Sequence, residues 1–290
     1  MVTELEKYFG EKPPESIQIV DYEIGRCKNC SLEYAVPLEP GTQPFYQWVT
    51  TRVGYYPISR WEWFAVIEEI NKQAKLNPVS ILEIGCGGGN FISLVQNIQN
   101  VRIVGIDTTP ESVTQCQEKG FEVYCETIDS FTKKFSELKF DYVVSFHCLE
   151  HISDPKNFVE SMLFLLKPTG SLLISTPYSP MSFEQGWFDI MNHPPHHMTR
   201  WNQKAYNELA WQLKCKIEYF MPSTRSTLQR TTNTFRLINF GRNKSVIKSR
   251  LIPVLMAKFP LFIILLARQL FRPKLNGITS ADTVLVKLVR

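Results

Sequence analysis

Four glycines interrupt the segment Ile81-Leu-Glu-Ile-Gly-Cys-Gly-Gly-Gly-Asn90, where a short apolar run passes directly into a helical stretch. Glycines at such a junction let the main chain approach a ligand closely, and the first N–H groups of the next helix point to the same place. A dinucleotide fingerprint requires G-x-G-x-x-G; with Gly85 and Gly87 in the first two places, the third falls on Asn90. No Gly-Lys-Ser/Thr follows either, which removes a P-loop. The pattern favours a ligand that needs close backbone packing and an acidic partner, Glu83, and so a cationic amino-acid moiety over a pyrophosphate. The next apolar run, Val101 to Ile106, delivers Asp107, a carboxylate placed to accept both hydroxyls of a ribose or to cap the following helix. After the third run, Glu126-Thr-Ile-Asp129 offers an apolar cover and a carboxylate for an adenine.

The five histidines, His147, His151, His193, His196 and His197, fall within 51 residues, with Glu150 between the first two. Histidine is the side chain best poised near neutral pH to take a proton from an attacking hydroxyl. His147 is the first candidate base, His196 and His197 the second, and Tyr178 an orienting group. His147 and His151 have the i, i+4 spacing of a metal pair on a helix, but a helix-start element with a core-packed histidine explains them equally, and no metal is expected. The loop Asn192-His-Pro-Pro-His-His-Met-Thr-Arg-Trp201 reads as part of an acceptor site, or as a stiff loop pinned by Trp201. Cys27-Lys-Asn-Cys30 is half of a zinc ribbon without a second Cys-x-x-Cys. Cys86 fills the glycine loop, and the other cysteines read as small core residues.

These residues need a scaffold, and the chain supplies one. At 290 residues with 44% hydrophobic and 21% charged positions, it suits one large α/β domain with additions. Short apolar runs at 79–84, 101–106, 121–125, 140–146 and 171–176 alternate with helical stretches near 91–97, 111–119 and 155–166, the signature of parallel βαβ units. A helix near 203–212, a sixth strand 216–220 and a late seventh, 283–289, complete the set. Ser59 and Glu62 have capping-box spacing ahead of a helix carrying Trp61, Phe64 and Ile67. Lys167 to Gly170 reads as a helix stop and turn. The boundaries are an N-terminal lid, 1–58, a core, 59–221, a helical insertion, 222–281, and a final strand, 282–290.

The ordered set ILEIGCGGGNFI, VRIVGIDTTPESV, YCETIDSF and FDYVVSFHCLEHISDPKNFVESMLFLLKPTGSLLISTP resembles the class I S-adenosylmethionine-dependent methyltransferases, close in style to the ubiquinone-biosynthesis O-methyltransferases. The resemblance is dense from Val79 to Thr176 and looser to Phe220 and the last strand. It implies a doubly wound, mostly parallel seven-stranded sheet, with the seventh strand antiparallel between the fifth and sixth. It further implies that Glu83, Gly85, Cys86, Gly87 and Gly89 hold the methionine end of S-adenosylmethionine, with Asp107 and Thr108 at the ribose. Ile128 and Asp129 would border the adenine, and Phe146 and His147 the sulfonium. The implied activity is methyl transfer to a small-molecule, glycan or lipid-like acceptor, most simply at a hydroxyl. The rival readings are a C- or N-methyltransferase acting on a sugar or RNA, a catalytically silent scaffold of the same fold, and a nicotinamide oxidoreductase, which Asn90 disfavours.

Charge is unevenly spread: 19 Lys and Arg face 27 Asp and Glu through Met221, but 13 face only Asp282 after it. Within this basic quarter, Leu251 to Phe271 is apolar yet broken by Lys258, Arg268 and two prolines, too interrupted to span a membrane as one helix. It reads as a buried or interfacial helix, giving a peripheral membrane contact through 242–274 flanked by Arg242, Lys244, Lys248, Arg250, Arg272 and Lys274. Nucleic acid is disfavoured because no binding motif accompanies the charge. An odd number of scattered cysteines and a charged N-terminus without an apolar core point to a cytoplasmic protein, peripheral at the membrane.

Overall fold

The structure, a computed structural model, describes residues 2–50, 55–181, 183–184, 188–222, 226–240, 247–271 and 282–290. In chain order the elements are α1 (Val2–Phe9), β1 (Glu23–Arg26), β2 (Glu33–Val36), α2 (Gln43–Thr50), α3 (Trp61–Ala74), β3 (Val79–Ile84), α4 (Asn90–Val95), β4 (Val101–Asp107), α5 (Pro110–Glu118) and β5 (Val123–Cys125). Then follow α6 (Ile128–Lys134), β6 (Phe140–Phe146), α7 (Pro155–Phe164), β7 (Leu166–Pro177), β8 (Thr199–Arg200), α8 (Gln203–Gln212), β9 (Lys216–Phe220), α9 (Thr227–Phe240), α10 (Ile247–Ala257), α11 (Phe259–Leu270) and β10 (Thr283–Val289).

The apolar runs are continuous because both faces of a parallel sheet are covered. They form the seven-stranded order β5-β4-β3-β6-β7-β10-β9, with β3 parallel to β4 and β6. β10 pairs antiparallel with β9, Leu285 opposite Phe220 and Val289 opposite Lys216. Ile81, Val144, Leu173 and Leu285 meet Val66 and Ile70 of α3 and Phe91, Ile92 and Val95 of α4 in one core. Each such side chain removed from water contributes about 1.5–3 kcal/mol. Parallel pairing brings the C-terminal ends of β3, β4 and β6 to one edge, which carries the glycine loop, Asp107 and His147. A smaller sheet, β1-β2-β8, brings the loop preceding Trp201 beside β2, with Glu33 opposite Arg200 and Tyr34 opposite Thr199.

The chain divides into two compact units. The first comprises Met1–Pro177, Ile190–Phe220 and Val284–Arg290; the second, Tyr178–Asp189 and Met221–Thr283. In the second, α9 packs on α11 through Phe235 and Phe262, ring centroids 5.7 Å apart, with Leu265 beside them.

Several local expectations are corrected. Arg60, not Ser59, caps α3 and makes no side-chain cap, because a guanidinium has no acceptor for an N–H; the carboxylate of Glu62 meets His147 instead. Lys167 to Gly170 is not a turn but the bulged start of β7. There a Cβ on Gly170 would lie 2.9 Å from the Phe140 carbonyl oxygen, and Lys167 reaches Asp141 at 2.7 Å. The N-terminal region holds two short helices and a hairpin, and α6, capped by Thr127, follows β5 directly. The basic apolar stretch is two helices bent by 88° at Lys258, where Pro260 in the first turn of α11 lacks an N–H. Arg242, Lys244, Arg272 and Lys274 lie outside the described residues, as do the side chains of Lys248 and Arg250.

Candidate active site

The loop after β3 has a geometry that only glycine adopts easily. Gly85, Gly87 and Gly89 have φ of +73°, +50° and +74°, where an L side chain costs about 1–2 kcal/mol. Space is equally limiting: a Cβ on Gly87 would lie 2.5 Å from the Tyr56 ring, and one on Gly85 2.2 Å from Cys148 Sγ. The second contact joins the end of β3 to the turn after β6. Under the loop, Glu83 is buried, and its Oε2 has no hydrogen-bond partner among the described residues. Burial, with the nearby charge of Asp107, raises its pKa well above the ordinary carboxylate value. An orphaned buried carboxylate beneath a glycine cradle fits the cationic amino group of a bound amino-acid moiety.

Asp107 accepts from the N–H groups of Gly87 and Thr109, both at 2.8 Å. A carboxylate offers about four lone-pair positions, so it retains capacity for a diol. Thr108 beside it is exposed. Cys86 is buried, and Cys116 Sγ donates to the Gly87 carbonyl at 3.3 Å. Ile128 is buried in the first turn of α6, and Asp129 accepts from Ser161 at 3.2 Å. Glu126 is paired with Lys134 and Ser130. Phe146 turns into the core against Phe91, 4.8 Å between centroids, and Trp63.

The sequence did not disclose that the segment before α3 closes on this loop. Tyr56 lies over Gly87 with its hydroxyl 3.5 Å from Ser112 Oγ, and burial pushes its phenol up to about 12. Asn90, noticed only as the residue that spoils a dinucleotide fingerprint, donates to the Pro57 carbonyl at 3.0 Å.

His147 ends β6 with φ of +57°. Its Nε2 is 3.2 Å from Glu62 Oε1, and its Nδ1 is 3.2 Å from Glu150 Oε1. Both carboxylates are 1% exposed. Burial raises the Glu62 pKa, but the hydrogen bond and charge of His147, with Arg60, outweigh it and hold the group below its ordinary value. Neither oxygen of Glu150 makes a hydrogen bond among the described residues, so its approach to His147 Nδ1 is a close contact rather than a hydrogen bond.

Beyond Glu150 the structure brings together three imidazoles. His151 Nδ1 donates to the His196 carbonyl; His196 Nδ1 donates to Met191 O at 2.8 Å, and its Nε2 meets the Tyr55 hydroxyl at 3.0 Å. His197 Nδ1 donates to Asn192 Oδ1 at 2.9 Å, and its Nε2 is 4.0 Å from Glu150 Oε1. Ring centroids are 4.6, 4.7 and 4.9 Å apart. Burial lowers the pKa of His151, and burial with the neighbouring imidazoles lowers that of His197. Burial also raises the phenols of Tyr46 and Tyr55. Leu149 to His151 is a 3-10 turn, so His147 and His151 do not form the helical pair that their spacing allowed.

The rest of that loop faces elsewhere. His193 Nε2 meets Arg200, and Arg200 Nε reaches Glu33 at 3.2 Å. Trp201 is buried against Tyr206, its Nε1 donating to Thr199 at 2.9 Å. Tyr178 belongs to the second unit, its N–H donating to the Asp282 carbonyl. Cys27 and Cys30 sit in the β1–β2 turn; backbone hydrogen bonds lower the Cys27 thiol and burial raises that of Cys30.

The family model for the methyltransferase domain matches residues 60–219, more than half of the chain. The chain belongs to the methyltransferases. Its sheet and glycine loop make it a class I, S-adenosylmethionine-dependent member. The methyltransferase is 34% identical over 120 residues to the ubiquinone biosynthesis O-methyltransferase of Histophilus somni strain 2336, a match covering 38% of this chain and 50% of that protein. With its namesake from Xylella fastidiosa strain M23 the figures are 30% over 116 residues, 38% and 46%. The chain thus spans about half the length of the curated relatives it matches. The fold is shared with the plantazolicin methyltransferase BpumL solved with SAH, at a TM-score of 0.54 and 14% identity, covering 86% of this methyltransferase and 91% of that chain. A SAM-dependent methyltransferase from Archaeoglobus fulgidus gives 0.51, 15%, 78% and 92%. No single described helix is long and apolar enough to cross a membrane.

Proposed function

We propose that this methyltransferase moves a methyl group from S-adenosylmethionine to a hydroxyl of a small-molecule, glycan or lipid-like acceptor. The observation that carries the reading is His147 held between Glu62 and Glu150 at the end of β6, one residue from the Cys148 that packs on Gly85. Bound at the glycine loop, the donor supplies a methyl group on a positively charged sulfur and leaves as S-adenosylhomocysteine. Glu83 would hold its amino group, Asp107 and Thr108 its ribose, and Ile128 and Asp129 its adenine. Tyr56 would exclude water from the donor side. The methyl carbon–sulfur bond would break as the carbon–oxygen bond forms, and the hydroxyl proton would pass to His147 Nδ1. That ring is held at Nε2 by Glu62 and flanked by Glu150 at 3.2 Å. Glu62 orients the imidazole, the role a carboxylate plays behind a catalytic histidine. The relatives named as ubiquinone biosynthesis O-methyltransferases support an oxygen acceptor. The test is formation of S-adenosylhomocysteine with a panel of catechols, phenols and sugars. Turnover that His147→Asn lowers by about 100-fold or more, with donor binding intact, supports the reading; undiminished turnover refutes the role of His147.

The second unit favours an acceptor met at a lipid surface. Ile252, Met256, Phe259, Ile263 and Ile264 of α10 and α11 are exposed in a segment whose charges are basic. Amphipathic helices of this composition lie in the interface, and each basic residue near an anionic leaflet contributes about 1 kcal/mol. Flotation of the full chain with phosphatidylglycerol vesicles, lost in Ile252→Asp with Met256→Asp, is the expected result; equal flotation of both would sink it.

A further inference from the structure

His151, His196 and His197 lie outside the proton path assigned to His147, yet their arrangement is specific. Each Nδ1 is directed at a carbonyl oxygen: that of His196, that of Met191 and the side-chain amide of Asn192. A carbonyl oxygen only accepts, so the proton sits on Nδ1 and the lone pair of each neutral ring sits on Nε2. Carbonyl partners on the far nitrogen are the usual support of a metal-ligating imidazole. One ligating atom from each of the three residues lies within 4.8 Å of the others. A second observation points to a cation at the same place. Glu150 is 1% exposed, neither of its oxygens makes a hydrogen bond among the described residues, and Oε1, 3.2 Å from His147 Nδ1, is 4.0 Å from His197 Nε2.

We infer that His151, His196 and His197 bind a divalent transition metal, Zn2+ in the first instance, beside the carboxylate of Glu150. Imidazole ligands suit Zn2+, and distances of about 2.0–2.1 Å from metal to nitrogen require the three rings to draw together on binding. The ion would fasten the loop carrying His196 and His197 to the turn carrying His151, which already meet where the Met198 N–H donates to the Glu150 carbonyl at 2.7 Å. Tyr55 competes, since its hydroxyl is hydrogen-bonded to His196 Nε2. The site differs from the Cys27–Cys30 pair, which offers sulfur.

The test uses the full chain, stripped with a chelator and titrated with Co2+ and then Zn2+, followed by calorimetry and absorption. The expected result is a single equivalent of Co2+, displaced by Zn2+, with the visible bands of a nitrogen and oxygen site and no sulfur charge-transfer band. His151→Gln and His197→Gln should each weaken binding by about tenfold or more. Tyr55→Phe, which removes the competing hydrogen bond, should tighten it by about two- to tenfold, a result that loss of folding cannot mimic. Cys27→Ser with Cys30→Ser should leave it unchanged. A folded chain that takes up neither ion overturns the inference. So does binding that survives both histidine substitutions, or binding that is lost with the two cysteines.

Discussion

The imidazole of His147 donates through Nε2 to the carboxylate of Glu62 at 3.2 Å, although the two are 85 residues apart. Glu62 sits in the first turn of α3 and is held ionised there, so it fixes the ring rather than exchanging protons with it. Glu62→Gln is expected to lower kcat by about 10- to 100-fold with KM for S-adenosylmethionine nearly unchanged. Steady-state kinetics at saturating acceptor checks this; an equal loss in donor KM would show that Glu62 serves the donor site instead.

Glu83 carries the opposite shift. Its folded pKa is raised by burial, so the folded chain keeps a proton that the unfolded chain releases near pH 4.3. That contribution is present below about pH 4.3 and is lost as pH rises towards the folded value. Without ligand, Glu83→Gln should therefore raise Tm at neutral pH and flatten its fall with rising pH, while weakening S-adenosylhomocysteine binding. Melting curves from pH 4 to 8 with and without ligand test it. A variant less stable than wild type at neutral pH would contradict the assignment.

At Gly87 both conformation and space exclude a side chain. Gly87→Ala should cost about 1–3 kcal/mol and displace Tyr56, with donor affinity falling more than stability. Gly88, whose added Cβ would meet nothing within 4 Å, is the control: Gly88→Ala should leave both within about 0.5 kcal/mol.

Asp141 anchors the base of the sheet. It accepts from the Ser80 N–H and hydroxyl, both at 2.8 Å, and from Lys167 at 2.7 Å. Burial raises its pKa, but Lys167 and Ser80 outweigh that and hold it low. Its contribution is present above about pH 3.9 and is lost as pH falls below that value. Asp141→Asn should destabilise the fold by about 1–3 kcal/mol without changing donor affinity, as denaturant unfolding and calorimetry would show.

Much of the scaffold was legible because parallel strands write themselves as uninterrupted apolar runs: β3 and β6 begin and end where those runs do. The glycine loop was legible for a similar reason, since left-handed backbone at Gly85, Gly87 and Gly89 demands that residue type. What could not be read were meetings between distant segments. Nothing local links Tyr56 to Gly87 or Glu62 to His147, and the Ser59 to Glu62 spacing suggested a cap because local geometry was the only partner the sequence displayed. The bulge at Gly170 failed for the same reason, its cause being the carbonyls of Phe140 and Asp141 on the next strand. The histidines were visible as a crowd, but not that His151, His196 and His197 each turn Nδ1 to a carbonyl oxygen.

Calorimetric titration of the full chain with S-adenosylmethionine and S-adenosylhomocysteine tests the central claim most directly. Saturable one-to-one binding, lost in Gly87→Arg and weakened in Asp107→Ala while both variants stay folded, is the predicted result. A folded wild-type chain that binds neither compound would contradict the account.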